Sequence, residues 1–223
     1  MIEPVLGFAA RTRTQKELTV SRESQQATPP ADVLRQAKEG NERFLRGEPR
    51  RRDSAQDIRA TAAGQHPLAV VLGCIDSRVP VETVLDVGIG DVFVARVAGN
   101  VVNSDVLGSL EYATKVVGAK LVLVMGHTRC GAVKSACEHV ELGNITGLLR
   151  KIEPAIAAVK GVPGSRDGKN EAFVDAAARE NVQHTMRELR EQSLVLNGLE
   201  QSGDILIAGC IYDVCTGKVD FLG

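Results

Sequence analysis

Four short runs dominate the apolar pattern of the chain: LAVVLG (68–73), DVFVARV (91–97), KLVLVM (120–125) and DILIAGCIY (204–212). Each is apolar at neighbouring positions and not only at alternate ones, the pattern of strands covered on both faces of a parallel sheet. Between the second and third lies SDVLGSLEYATKVVG, a predicted helix with Ser104 as N-cap and Gly118 as stop. A strand, helix, strand order at that length implies right-handed crossovers. Residues 131 to 201 are mostly helical in pattern: GAVKSACEHVEL, then ITGLLRKIEPAIAAVK with Pro154 as kink or boundary, then NEAFVDAAARENVQHTMRELREQSLVL. The closing TGKVDFL adds an edge strand through a hairpin at Thr216-Gly217.

Ahead of the first strand, Val33, Leu34, Ala37, Phe44 and Leu45 fall near helical spacing until Gly47 and Pro49 stop the run. Residues 1–30 are polar, lack sustained periodicity and end in Pro29-Pro30, which marks a flexible or partner-contacting arm, or the remnant of a leader. The predicted fold class is α/β: a central, mostly parallel β-sheet flanked by helices, with an N-terminal helical arm and a single domain over 31–223. No internal repeat is visible.

A chain of 223 residues supports one sizeable core. Its net charge of −1, from 27 basic and 28 acidic side chains, gives none of the one-signed field expected of a nucleic-acid binder. The one basic run, Arg50 to Arg52, reads as a solvated turn. No apolar stretch reaches the ~18 residues of a bilayer span, and the N-terminus lacks the apolar centre of a secretory signal, so no membrane partner is expected. Five cysteines, an odd number in a long chain, do not form a disulfide framework. They point to a reducing compartment, hence a cytoplasmic location, with some thiols held for metal or chemistry.

Open α/β sheets place ligand sites at the C-terminal ends of their strands. Two such ends carry chemistry here: CIDSR (74–78) after LAVVLG, and GHTRCG (126–131) after LVLVM. Cys74, His127 and Cys130 offer two thiolates and an imidazole, a donor set that suits tetrahedral zinc. Three protein ligands leave a fourth position for water, carboxylate or substrate, the arrangement of a catalytic site. Each cysteine alone is as well explained as a core filler, and Cys137, Cys210 and Cys215 fit that description better. Asp76 and Arg78, two apart on an extended segment, point the same way and form a bidentate pair. A carboxylate two residues from a metal thiolate can itself reach the metal, and an Arg competing for it decides whether the fourth position is open.

CIDSR, RVAGN (96–100), SLEYA (109–113) and MGHTRCGA (125–132), in this order, resemble a β-class carbonic anhydrase, with similarity running from about GNERF (40–44) to IYDVCTGKVDF (211–221). The resemblance implies zinc-dependent, reversible hydration of CO2 to bicarbonate and a proton, with one Zn2+ per chain on Cys74, His127 and Cys130 and a catalytic dyad of Asp76 and Arg78. It implies a substrate pocket shared across a dimer interface, with Gln65 contributed there, an apolar and aromatic wall of Phe93 and Tyr112 beside Val79, and the Gly131 N–H orienting a bound oxyanion. In that chemistry zinc makes hydroxide available near neutral pH for attack on carbon, and Asp76, oriented by Arg78, aims it. Two thiolates donate more charge than imidazoles, which raises the water pKa relative to a three-histidine site.

Some family members carry a Trp three residues before the first zinc cysteine, part of a non-catalytic bicarbonate site; here the position is Val71 and the chain has no Trp. The open-type subgroup is therefore expected. The resemblance also implies a homodimer or a dimer of dimers, and residues 30–47 are amphipathic enough either to embrace a neighbour or to pack on their own sheet. The rival readings are a same-scaffold hydrolase of CS2 or COS, a non-catalytic zinc-binding structural or regulatory module, and a thiol redox protein using Cys74 and Cys130. The last gives no reason for His127 or the dyad.

Overall fold

The four apolar runs become four parallel strands: β1 (Ala69–Gly73), β2 (Val92–Arg96), β3 (Leu121–His127) and β4 (Leu206–Tyr212). The fold is known from a computed structural model that describes residues 19–222. A fifth strand, β5 (Val219–Leu222), folds back antiparallel on β4, and the sheet order is β2-β1-β3-β4-β5. The fold is thus α/β, with a mostly parallel sheet flanked by helices. Interior strands β1 and β3 are buried along their whole length, whereas edge strand β2 is half-buried.

Side chains alternate between two cores, as the pleat demands. On one face Val70, Leu72, Val122 and Val124 meet Leu110, Val182, Leu189 and Leu196. The opposite face sets Val71, Leu121, Leu123 and Met125 against Val33, Val81 and Leu85. Burying each such side chain contributes roughly 1.5–3 kcal/mol.

The first face is covered by α5 (Ser104–Glu111), α9 (Glu171–Gln192) and α10 (Leu194–Gln201). Helix α9 comes so close that a Cβ on Gly126 of β3 or Gly209 of β4 would lie 2.6 Å from a Val182 methyl. Glycine at both positions is what permits the approach. The second face is covered by α2 (Pro30–Arg46) and the short α4 (Val81–Val84). Around the strand ends lie α6 (Gly131–Cys137), α7 (Gly143–Arg150) and α8 (Glu153–Ala158), the last with Pro154 in its first turn, where a missing N–H costs nothing.

Three local details differ from the sequence reading. The cap of α5 is Asn103, whose side chain accepts the Val106 N–H at 2.8 Å, and not Ser104. That helix then runs into a π-helical turn, Tyr112–Val116, ahead of left-handed Gly118. The basic run is no solvated turn at Arg52, which pairs with Asp91 at 3.2 Å and donates to the Asp86 carbonyl.

Of the expected N-terminal arm, residues 1–18 lie outside the described residues. Within the remainder, Ser21 caps α1 (Arg22–Ala27), and buried Gln25 donates to the Pro67 carbonyl at 2.7 Å, at the entrance of β1. Helix α3 (Ser54–Thr61) follows the basic run, capped by Asp53. Among the described residues no helix is long and apolar enough to cross a membrane.

Candidate metal centre

Parallel strands that end together deliver their next residues to one place. Gly73, the last residue of β1, lies in register with Met125 of β3, so Cys74 emerges beside the end of β3, where His127 is the final residue. Two residues on, the chain turns through Arg129, a non-glycine residue in the left-handed region (φ +54°), and reaches Cys130 as N-cap of α6. The turn is held by Asp175 of α9, which accepts the Arg129 N–H at 2.7 Å. As a result one donor atom each from Cys74, His127 and Cys130 lies within 4.8 Å of the others, and all three residues are buried.

The donor chemistry fits a soft divalent cation. His127 Nδ1 lies 2.9 Å from the Thr128 carbonyl; a carbonyl only accepts, so Nδ1 carries the proton and Nε2 turns a lone pair to the centre. That Nε2 is buried and has no hydrogen-bond partner, an arrangement that costs stability unless something else binds it. The hydrogen bond from the Cys130 thiol holds the Cys74 thiol well below the usual thiol range, while the same bond and burial push Cys130 up. The pair therefore shares one proton, which a cation held by both sulfurs would displace. A third apolar cluster, including Val101, Ile152 and Phe173, surrounds the two cysteines and keeps water away from the sulfurs.

Asp76 faces the same point: its Oδ2 lies 3.9 Å from His127 Nε2. Arg78 grips it in a fork, Nε to Oδ1 at 3.0 Å and Nη2 to Oδ2 at 2.8 Å, and the Arg78 backbone N–H adds a bond to Oδ1 at 2.9 Å. These bonds hold the Asp76 carboxyl down at about 2, so it is ionised at any ordinary pH. Nη2 of Arg78 also reaches the Arg129 carbonyl at 3.2 Å, tying the two strand-end loops together.

The sequence alone gives Arg96, within RVAGN, no role at the site. From the end of β2 it donates through Nε to the Cys74 carbonyl at 2.7 Å and through Nη2 to the Asp76 carbonyl at 2.5 Å. The register that pairs Arg96 with Gly73 is the signal that places it there. The Gly99 N–H points at Cys74 Sγ, 3.4 Å away. Gly131 is the first residue of α6, next to Cys130.

The remaining expected residues do not join this group within one chain. Phe93 and Tyr112 line a separate groove with Val70, Ala95 and Ser104, and Tyr112 is 55% exposed. Gln65 is exposed near Thr61 and Ile89, ahead of β1, whereas Cys74 follows it. Five strand residues separate them, about 17 Å at the usual rise. Val79 is fully buried in the core on the α2 face of the sheet, so it is core filling and not pocket wall.

The carbonic anhydrase family model matches residues 69–219. Carbonic anhydrase 2 of Mycobacterium tuberculosis is 38% identical over 197 residues, 86% of this chain and 92% of that protein. The crystal structure of the β-carbonic anhydrase CafA of Aspergillus fumigatus is similar with a TM-score of 0.64 at 28% identity, over 86% of this chain and 89% of that one. One of two tetrameric β-carbonic anhydrases from Sordaria macrospora shares the fold with a TM-score of 0.66 at 21% identity, over 86% of this chain and 98% of that one.

Proposed function

Because this chain belongs to the β-class carbonic anhydrase family and is thereby a carbonic anhydrase, we propose that it catalyses the zinc-dependent, reversible hydration of CO2 to bicarbonate and a proton, with one Zn2+ per chain. The observation that carries this reading is the convergence of buried Cys74, His127 and Cys130, the imidazole lone pair unpartnered, on a point that ionised Asp76 also faces.

Bound there, zinc supplies a Lewis acid that brings the pKa of water to about 7. The chain's own residues do the rest. Asp76, anionic and locked by Arg78, accepts a hydrogen bond from the attacking oxygen and so aims its lone pair at carbon. Arg78 engages both oxygens of that carboxylate, so Asp76 faces the metal position as a hydrogen-bond acceptor and not as a further ligand, and Val71 stands where a closed-type enzyme has Trp; both support the open-type subgroup. The Gly131 N–H is the donor assigned to a bicarbonate oxygen. A purely structural zinc module would need the three ligands alone and gives no reason for the Asp76–Arg78 fork.

Gln65, Phe93 and Tyr112 are assigned to a pocket completed by a second copy, because each lies away from its own chain's metal centre. The assembly is then a homodimer or a dimer of dimers; the fold relative from Sordaria macrospora is tetrameric. Stopped-flow CO2 hydration is the test: the zinc-loaded wild type turns over, and Asp76→Asn lowers the rate by about 10–100-fold with zinc retained. An inactive wild type with full zinc content overturns the reading.

A further inference from the structure

Asn181 lies mid-way along α9 on the helix face that Val174, Ala177, Ala178, Val182 and Leu189 bury in the core, and it is itself 1% exposed. Its Nδ2 donates to the Gly99 carbonyl at 2.7 Å, while its Oδ1 is buried without a partner, as is the Nδ2 of Asn100. Unpartnered buried amide atoms work against stability, and an aliphatic side chain would remove them only by leaving the buried Gly99 carbonyl unpaired. Packing alone therefore does not account for an amide at this position.

What the amide holds does account for it. Gly99 sits in the left-handed region (φ +67°), and a Cβ there would lie 2.8 Å from Ile152 Cδ1, so the turn favours glycine on both counts. Its N–H is the one that donates to Cys74 Sγ. The next residue, Asn100, is also left-handed (φ +43°), and its carbonyl accepts from Thr185 Oγ1 of α9 at 3.3 Å. One turn of α9 thus grips both carbonyls of this strained pair.

We propose that Asn181 is a positioning residue for Cys74: by fixing the Gly99 carbonyl it aims the Gly99 N–H at the sulfur, which draws charge from the thiolate and sets how strongly that sulfur binds the metal. The inference rests on Cys74, His127 and Cys130 being the metal ligands. Loss of the bond leaves a more electron-rich thiolate.

The test uses the full chain loaded with cadmium-113, with proton-detected correlation between the metal and backbone amides. Wild type shows coupling from the Gly99 amide proton to cadmium through Cys74 Sγ. In Asn181→Leu and Asn181→Ala the protein folds and holds one metal, but the coupling disappears. The thiolate-to-metal charge-transfer band of the cobalt(II) forms moves to longer wavelength, as a more electron-rich sulfur requires. Thr185→Val, which cuts only the neighbouring bond, keeps the coupling. The inference is overturned by metal-loaded wild type without the coupling, by coupling that persists in either Asn181 variant, by its loss in Thr185→Val, or by failure of both Asn181 variants to fold, which would make the amide structural. A wild type that binds neither cadmium nor zinc is a different failure, that of the metal centre itself.

Discussion

Arg78 sets the state of the site through two parallel bonds to one carboxylate. Without them Asp76 is free to turn toward the position that Cys74, His127 and Cys130 surround. Arg78→Ala is therefore expected to stay zinc-loaded but inactive, with X-ray absorption at the zinc edge showing an added carboxylate oxygen; a spectrum unchanged from wild type would contradict it. The same bonds fix a sign for pH. A carboxyl lowered from 3.8 to about 2 in the folded chain adds stability that is fully present above pH 3.8 and is lost as pH falls toward 2. Asp76 thus does not titrate near neutrality, and the neutral midpoint of the pH–rate profile should survive, at reduced amplitude, in Asp76→Asn. The five residues at this point were legible because each follows a recognisable strand within a few positions. Arg96, Gly99 and Asn181 were not: Asn181 meets Gly99 across 82 residues of sequence, and an Asn within an amphipathic helix looks like any polar residue until the helix is placed.

Elements show the same division between local and tertiary information. The strands were legible because covered parallel strands are apolar on both faces, and the β5 hairpin because Thr-Gly sits between two short runs. The cap of α5 slipped by one residue because Asn103 and Ser104 are both good caps, and the extended backbone at Asn103 (φ −150°, ψ 172°) decided between them. The π-helical turn left no mark, since YATKV has no composition that distinguishes it from an α-helical turn. Helix α2 is amphipathic in sequence, and in the fold one buried polar residue fastens it. Asn41 donates to the carbonyls of Val84 at 3.1 Å and Gly217 at 3.0 Å and accepts the Val219 N–H at 2.9 Å. It links α2, α4 and the β4–β5 hairpin at once. Asn41→Leu strands three backbone groups, two of them buried and one part-buried, and should lower the urea-unfolding free energy by about 3 kcal/mol. A change under about 0.5 kcal/mol would mean that these bonds add nothing net.

For the whole molecule, the decisive feature is that Gln65 stands before β1 and Cys74 after it. On the proposed reading, a pocket that needs both and is built by a two-fold pair would make every chain at once donor and recipient and divide the catalytic unit between subunits. Defects at the two ends of β1 should then complement. Asp76→Asn and Gln65→Ala, each impaired as a pure dimer, yield upon mixing and re-association hybrid dimers in which one pocket carries both lesions and the other carries neither. With random exchange, activity climbs toward about a quarter of wild type. If each pocket were made within a single chain, mixing would restore nothing.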